Sequence, residues 1–447
     1  MNLLDFKDKL FNAAIQVGFS EVELYFEGKE VFGCQIYKGE IDQYEIAEDS
    51  GISFRGILDG RMGYAYTEKI DEESIPYLVE SAKQNSLIFQ EDDKEEIFVG
   101  SKSYTNGDFY SNSLNEITIP EKIQLLKDIE KEILAYDPRI VGTEYCLIKS
   151  ESITRSLLNS KGLSLNDRMN YLYIVVEVIA KDEGETKTGI EYKITKDFYS
   201  LNPKEIAKKA AEEALSQLGS KNIESKNYPV LLRNDAAASL LATFASNFSA
   251  ENTQAGISLL KGKEGYQIAN EKVHMIDNPF LKDGLASKTF DSEGVATRET
   301  TLVENGILKT LLHNHKTAKK DETETTGHAY KDSYKSAVKV GPSNLYIQPT
   351  SVSFEAIITT VKEGIMITEL SGLHSGANPV SGDFSVAANG YFIKDGRIEF
   401  PVNLMTIAGN FYELLMNVEE IGADLSFPLS GIGSPSIFVK TLSVTVE

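Results

Sequence analysis

The feature that most restricts the fold of this chain is a series of apolar/polar alternations separated by two-residue turns. Val22-Glu23-Leu24-Tyr25-Phe26 and residues 31–37, 41–46 and 51–58 carry the period of two that a strand buried on one face requires. Lys38-Gly39 and Asp59-Gly60 stand between runs, and Asp-Gly is a strong hairpin signal because its glycine accepts positive φ. Helical spacing brackets these runs. Leu3, Leu4, Leu10, Phe11, Ala14 and Ile15 recur on one face and stop at Gly18, while Asp71 opens a second helix carrying Ile75, Leu78, Val79 and Ala82. A helix, an antiparallel sheet and a helix form the expected first module.

The acidic run 91–96 and the Ser- and Asn-rich stretch up to Asn115 read as a solvated linker of about 91–115 between two sub-modules. A third helix follows, with Pro120 in its first turn and Ile123, Leu126, Ile129 and Ile133 on one face. Strands are expected at Tyr145, around Leu157 and over 171–180 and 185–194, then an amphipathic helix over 203–218. The polar stretch 221–226 marks a domain boundary. Beyond it, 229–232 reads as a buried strand entering a helix from Asp235 to about Phe248, with Asn234 as N-cap. Short strands with turns such as Asn305-Gly306 and Asp395-Gly396 make up the rest. The expected class is α+β: an N-terminal helix-plus-antiparallel-sheet domain over 1–222 and a predominantly antiparallel β domain over 228–447.

Charge excludes one class of partner. With 45 basic against 67 acidic residues, a net −22, the surface repels phosphate backbones, so direct nucleic-acid binding is not expected. Two cysteines in 447 residues suit a reducing compartment. Asp5, Lys7, Asp8 and Lys9 interrupt any secretory signal, and the most apolar run, 171–180, is too short to span a bilayer. A cytoplasmic protein with no membrane contact is expected.

Local chemistry is sparse. Of five histidines, His313, His315 and His328 fall close together, and on a strand His313 and His315 would share a face suited to chelation. The plainer reading is two surface imidazoles near a turn, since no carboxylate or cysteine accompanies them. His274 and His374 are isolated. No H-E-x-x-H and no G-x-S-x-G occurs. Ser381-Gly382-Asp383-Phe384-Ser385 is a polar turn, either a plain tight turn or the edge of a binding cleft. Gly431-Ile432-Gly433 lacks the Lys-Ser/Thr of a phosphate loop.

Several whole segments resemble the TldD/PmbA family of peptidases. Phe290-Asp-Ser-Glu-Gly-Val-Ala-Thr-Arg298 leads, followed in the family's order by Leu302-Val-Glu-Asn-Gly-Ile-Leu308, Thr326-Gly327, Gly341-Pro-Ser-Asn-Leu345, Val380-Ser-Gly-Asp-Phe-Ser385, Thr406-Ile-Ala-Gly-Asn410 and Gly433-Ser-Pro435. Gly18-Phe-Ser-Glu-Val-Glu23, Lys38-Gly-Glu40 and Asp137-Pro-Arg-Ile-Val141 extend the likeness into the first half.

The resemblance implies a zinc peptidase assembled from two related subunits around a chamber that degrades unfolded peptides. Its catalytic branch carries H-E-x-x-x-H on the first helix of the C-terminal domain and a cysteine near the C-terminus as third ligand. Two imidazoles and a thiolate hold the metal, and the carboxylate takes a proton from bound water. Here Ala242, Thr243 and Asn247 stand at the first His, the Glu and the second His, and residues 422–428 contain no cysteine. The chain thus resembles the motif-lacking PmbA/TldE branch. It would have no catalytic residues and no metal of its own, with zinc in a TldD-like partner of a heterodimer. Alternatives are a self-sufficient peptidase using His313, His315 and His328, or a non-proteolytic scaffold, as a homodimer. Asp383 and Ser385 are candidates for facing the shared cavity.

Overall fold

In the computed structural model, which describes residues 1–88 and 96–446, the alternating runs of the first half fuse into long strands. β1 (Glu21–Tyr37) and β2 (Glu40–Leu58) replace the four short runs expected. The polar stretches between runs looked like breaks. Backbone pairing nevertheless continues through them, from Glu21 opposite Ile57 to Gln35 opposite Gln43, with one bulge beside Ile36. β3 (Arg61–Thr67), β4 (Ile140–Asn159), β5 (Ser164–Asp182) and β6 (Glu185–Thr195) complete an antiparallel sheet of order β3-β2-β1-β4-β5-β6. The turn signals hold for a conformational reason. Lys38 and Gly39 have φ of 53° and 77°, and Asp59 and Gly60 51° and 79°, as a two-residue hairpin loop demands.

One face of this sheet carries helices at both ends. Phe6, Leu10, Phe11 and Ala14 of the helix Leu3–Val17 and Ile75, Leu78, Val79 and Ala82 of the helix Ser74–Ile88 bury Val22, Leu24, Ile52 and Phe54. Leu4 and Ile15, expected on the buried face, are exposed, and Phe6 takes that place. Gly18 ends the first helix at φ 111°, and the Asp71 carboxylate accepts from the Ser74 N–H at the start of the second. At the other end, the helices Ile119–Tyr136 and Pro203–Ser216 cover Cys34, Ile148, Leu172 and Ile174. Thr118 and Glu121 form a capping box ahead of the former. Cys34 and Cys146 share this core, both buried and both free.

Residues 91–95 of the expected linker lie outside the described residues. The remainder, 96–115, is largely exposed but anchored at a few points: Ile97, Phe109 and Leu114 are buried, and the Tyr104 hydroxyl donates to the Gly294 carbonyl at 2.8 Å. Its polar composition concealed these anchors, which are spaced too irregularly to form a periodic pattern.

The C-terminal half centres on a closed ring of strands. β7 (Lys226–Leu232), β8 (Glu363–Ser371), β9 (Asp383–Lys394), β10 (Met405–Asn410) and β11 (Ile437–Val446) pair in the order β8-β7-β11-β10-β9, and β9 returns to β8. Only the β7/β8 pair of the ring is parallel. The ring closes tightly at Gly390, where a Cβ would stand 1.9 Å from the Met366 carbonyl oxygen. The α+β class is as expected. No helix among the described residues is long and apolar enough to cross a membrane.

Candidate functional site

The helix after β7 runs Asn234–Phe244 and tightens into a 3-10 turn over Ala245–Phe248. Asn234 lies inside it and Arg233 holds the N-cap, contrary to expectation. The Asn234 side chain is engaged elsewhere, its Nδ2 donating to the Asp424 carbonyl at 2.8 Å while its N–H donates to Ser436 Oγ at 3.1 Å. This ties residues 422–428 to the start of the helix, where Asp424 also accepts from the Ser436 N–H and hydroxyl.

Of the three positions singled out on this helix, Ala242 has no donor atom. Thr243 spends its hydroxyl on the Ser239 carbonyl one turn back, at 2.9 Å. Asn247 is 1% exposed, and neither end of its amide forms a hydrogen bond within the protein. That combination is costly. It makes Asn247 the most distinctive of the three.

Aromatic packing brings two further turns to this helix end. Phe244 stacks on Phe411 with ring centres 4.6 Å apart and lies 6.5 Å from Phe384. Phe411 follows β10 and Phe384 opens β9, so both turns are drawn to the same corner. There Asn410 Nδ2 donates to Asp383 Oδ1 and to the Ser381 carbonyl, both at 2.9 Å, while its Oδ1 caps the helix Phe411–Met416. The bond from Asn410, together with one from the Ser381 side chain, holds the Asp383 carboxyl below the usual range. Gly382, at φ 83°, leaves room for the Tyr412 ring, which a Cβ there would meet at 2.8 Å. The Tyr412 hydroxyl is buried beside Ser258 and Asn247 without forming a well-aligned hydrogen bond to either, and burial raises its pKa. Asp383 and Ser385 are exposed, alternate residues on one face of β9. Tyr412 and Ser258 were not singled out in the sequence, and Asn410 entered only as the last residue of a segment carrying the resemblance. The only hint was that Thr406-Ile-Ala-Gly-Asn410 ends two residues before Tyr412.

The histidines do not converge. Leu311–His315 is not a strand, because Asn314 caps a helix beginning at His315. His315 Nε2 lies 3.1 Å from Glu96, its ring against Phe98. His328 lies between Asp277 Oδ1, at 3.0 Å, and Thr326 Oγ1, at 2.9 Å. His313 is buried beside it, and burial together with His328 lowers its pKa. Among the described residues no three His, Cys, Asp or Glu side chains converge as metal ligands would. An alanine, a back-bonded threonine and a carboxamide do not fit zinc, which takes thiolate, imidazole and carboxylate.

A second cluster joins the two halves. Arg55 Nε donates to Glu23 at 2.6 Å and its Nη1 to Glu293 at 3.2 Å, all three side chains being buried. Glu293 Oε2 also accepts from the His315 N–H at 2.8 Å. Asp291 holds the adjoining turn through the N–H groups of Glu293, Val295 and Ala329, and burial and Glu293 push its carboxyl up to about 6. The segment that carries the strongest resemblance is therefore a clamp between halves. Lys331 reaches into the same junction, its Nζ donating to Ser53 Oγ at 2.7 Å above the rings of Tyr25 and Tyr64.

Burial, aided by nearby Arg55, lowers Lys331 to about 7. The unfolded chain, titrating near 10.4, then binds the extra proton between these values, so stability rises with pH across that window. Urea denaturation of the wild type and Lys331→Met at pH near 6.5 and near 9.5 should show the difference between them moving in favour of the wild type by ~1–3 kcal/mol. A pH-independent difference would contradict this assignment.

The sequence matches the models of PmbA/TldA metallopeptidase domain 1 over residues 22–86, the central domain over 112–218 and the C-terminal domain over 225–446. It is 35% identical to a putative modulator of a DNA gyrase from Thermotoga maritima MSB8, with a TM-score of 0.93 over 99% of this chain and 100% of that one. TldE from Thermococcus kodakarensis, 23% identical, shares the fold at a TM-score of 0.90 over 98% and 100% of the two chains. The metalloprotease PmbA homolog of Haemophilus influenzae is 26% identical over 409 residues, 91% of this chain and 88% of that protein.

Proposed function

This chain belongs to the TldD/PmbA metallopeptidase family, and from that premise we propose that it is the PmbA/TldE-like, non-catalytic subunit of a cytoplasmic zinc peptidase. The observation that carries the reading is the helix end itself. Where the catalytic branch needs an imidazole, a carboxylate and a second imidazole, this chain offers Ala242, a Thr243 hydroxyl already bonded to Ser239, and the buried Asn247 amide. Zinc and the general base then belong to a motif-bearing TldD-like partner, and this subunit completes the chamber in which unfolded peptides are cleaved. Asp383 and Ser385, exposed beside that corner, are assigned to the shared cavity.

A self-sufficient peptidase built on His313, His315 and His328 is disfavoured by their separation into different contacts. The net charge of −22 argues against direct DNA binding, so an effect on gyrase would run through proteolysis. The test is assembly. Mixed with the motif-bearing relative from its own organism, the chain is expected to elute from a sizing column as an equimolar complex. Separate elution at every concentration would count against the subunit role.

A further inference from the structure

The long hairpin of β1 and β2 is covered unequally. β1 pairs on both sides, with β2 and with β4, whereas β3 joins β2 only over Ile52–Leu58. Residues 40–50 of β2 therefore present an open edge, and among the described residues no other segment bonds to their backbone. The edge is ordered without a partner. Glu130, on the helix Ile119–Tyr136, accepts from the N–H groups of Lys38 and Gly39 at 2.8 and 2.6 Å and fixes the hairpin tip. Phe32, Cys34 and Ile36 anchor β1 in the core beneath. A long, regular open edge is a template for another strand, and proteins normally blunt one with a proline, a bulge or a short length. The one bulge of this pair falls at Asp42, opposite Gln35 and Ile36. Residues 43–50 beyond it pair regularly, contain no proline and exceed the usual strand length of about 5–6 residues.

The side chains along this edge say what would pair with it. Tyr44 and Ile46 are 50% and 60% exposed, although both stand on the face that carries the helices. Glu45, Glu48 and Asp49 are exposed and form no ion pair among the described residues. A second copy laid on the same edge would bring like charges together across one strand spacing, which is destabilising. Carboxylates of a single sign thus exclude self-pairing and select a strand of opposite charge. We propose that the open edge of β2 docks an extended, basic segment of another polypeptide as an added strand. Lysine or arginine stands opposite Glu45, Glu48 and Asp49, and aliphatic side chains stand opposite Tyr44 and Ile46. Main-chain hydrogen bonds supply the affinity and the alternating side chains the choice of partner. The argument does not depend on the subunit reading.

Fluorescence anisotropy of the full chain with a labelled, end-blocked peptide Thr-Lys-Lys-Thr-Val-Lys-Val-Thr, which complements residues 50 to 43 in antiparallel order, tests the assignment. Saturable binding is expected, at least tenfold tighter than that of the same peptide with glutamate in place of lysine. N-methylation of alternate residues separates strand pairing from charge attraction, because only one of the two alternating sets of N–H groups faces β2. One methylated set is expected to bind at least tenfold more weakly than the other. Glu45→Lys combined with Glu48→Lys, both at exposed positions, is expected to reverse the preference in favour of the glutamate peptide. No saturable binding, equal binding of the two methylated sets, or an unchanged preference in the double variant would overturn the proposal. So would a dimer of the chain that the lysine peptide dissociates, which would assign the edge to a second copy.

Discussion

Arg55→Ala is expected to destabilise the protein by about 3–5 kcal/mol, the scale for breaking a buried ion pair by removing one partner. The loss arises because Glu23 and Glu293 remain behind, both buried, one contributed by the sheet and one by the C-terminal half. Burial already raises Glu23 toward its neutral form, with Arg55 opposing that shift. Lys331 moderates the outcome. Arg55 helps to hold its ammonium down, so removing the guanidinium lets Lys331 keep its proton and partly offset the two carboxylates. The effect should therefore fall toward the lower end of the range and grow when Lys331→Met is added. Replacing Glu23, Arg55 and Glu293 together by apolar residues should cost less than Arg55→Ala alone. Urea denaturation of the three variants measures this, and a loss under about 1 kcal/mol for Arg55→Ala would show that the junction contributes little.

Phe244→Ala should cost a similar amount, about 3–5 kcal/mol, as a large buried aromatic replaced by a methyl group. Phe244 is fully buried and stacks on Phe411 with its ring planes 16° apart, so truncation removes packing from the helix and from the turn after β10 at once. The collapse is hindered because the helix is anchored at its other end by Asn234 and Ser436. Phe244→Leu keeps most of the volume and is expected to lose less than half as much. The two variants should also separate in near-ultraviolet circular dichroism, since Tyr412 packs edge-on against Phe411, the ring on which Phe244 stacks. An Ala variant as stable as the Leu variant would mean that the corner is loosely packed.

Much of the fold was legible because its signals are local. Lys38-Gly39 and Asp59-Gly60 must adopt positive φ, Gly18 ends a helix for the same reason, and Pro120 marks the first turn of the helix that follows. The lengths of β1 and β2 were not legible, because strand pairing across polar residues leaves no pattern in either strand. Tertiary packing overrode periodicity at Leu4 and Ile15, exposed in favour of Phe6. At the candidate site, the absence of metal-ligating side chains at 242, 243 and 247 could be read from residue types alone. The neighbours of Asn247 could not, because Tyr412 reaches it from the turn after β10, and the Ser258 hydroxyl, in an irregular loop, donates to its backbone carbonyl at 2.7 Å. Distance in sequence hid the Glu23–Arg55–Glu293 contact in the same way, although Glu23 and Glu293 both lie in segments that carried the family resemblance.

The measurement that bears most directly on the central claim is zinc content and cleavage of an unstructured peptide, for the chain alone and mixed with its motif-bearing relative. The account predicts neither zinc nor cleavage alone, with activity appearing in the mixture beyond that of the relative by itself. Stoichiometric zinc and cleavage by the purified chain alone would contradict it.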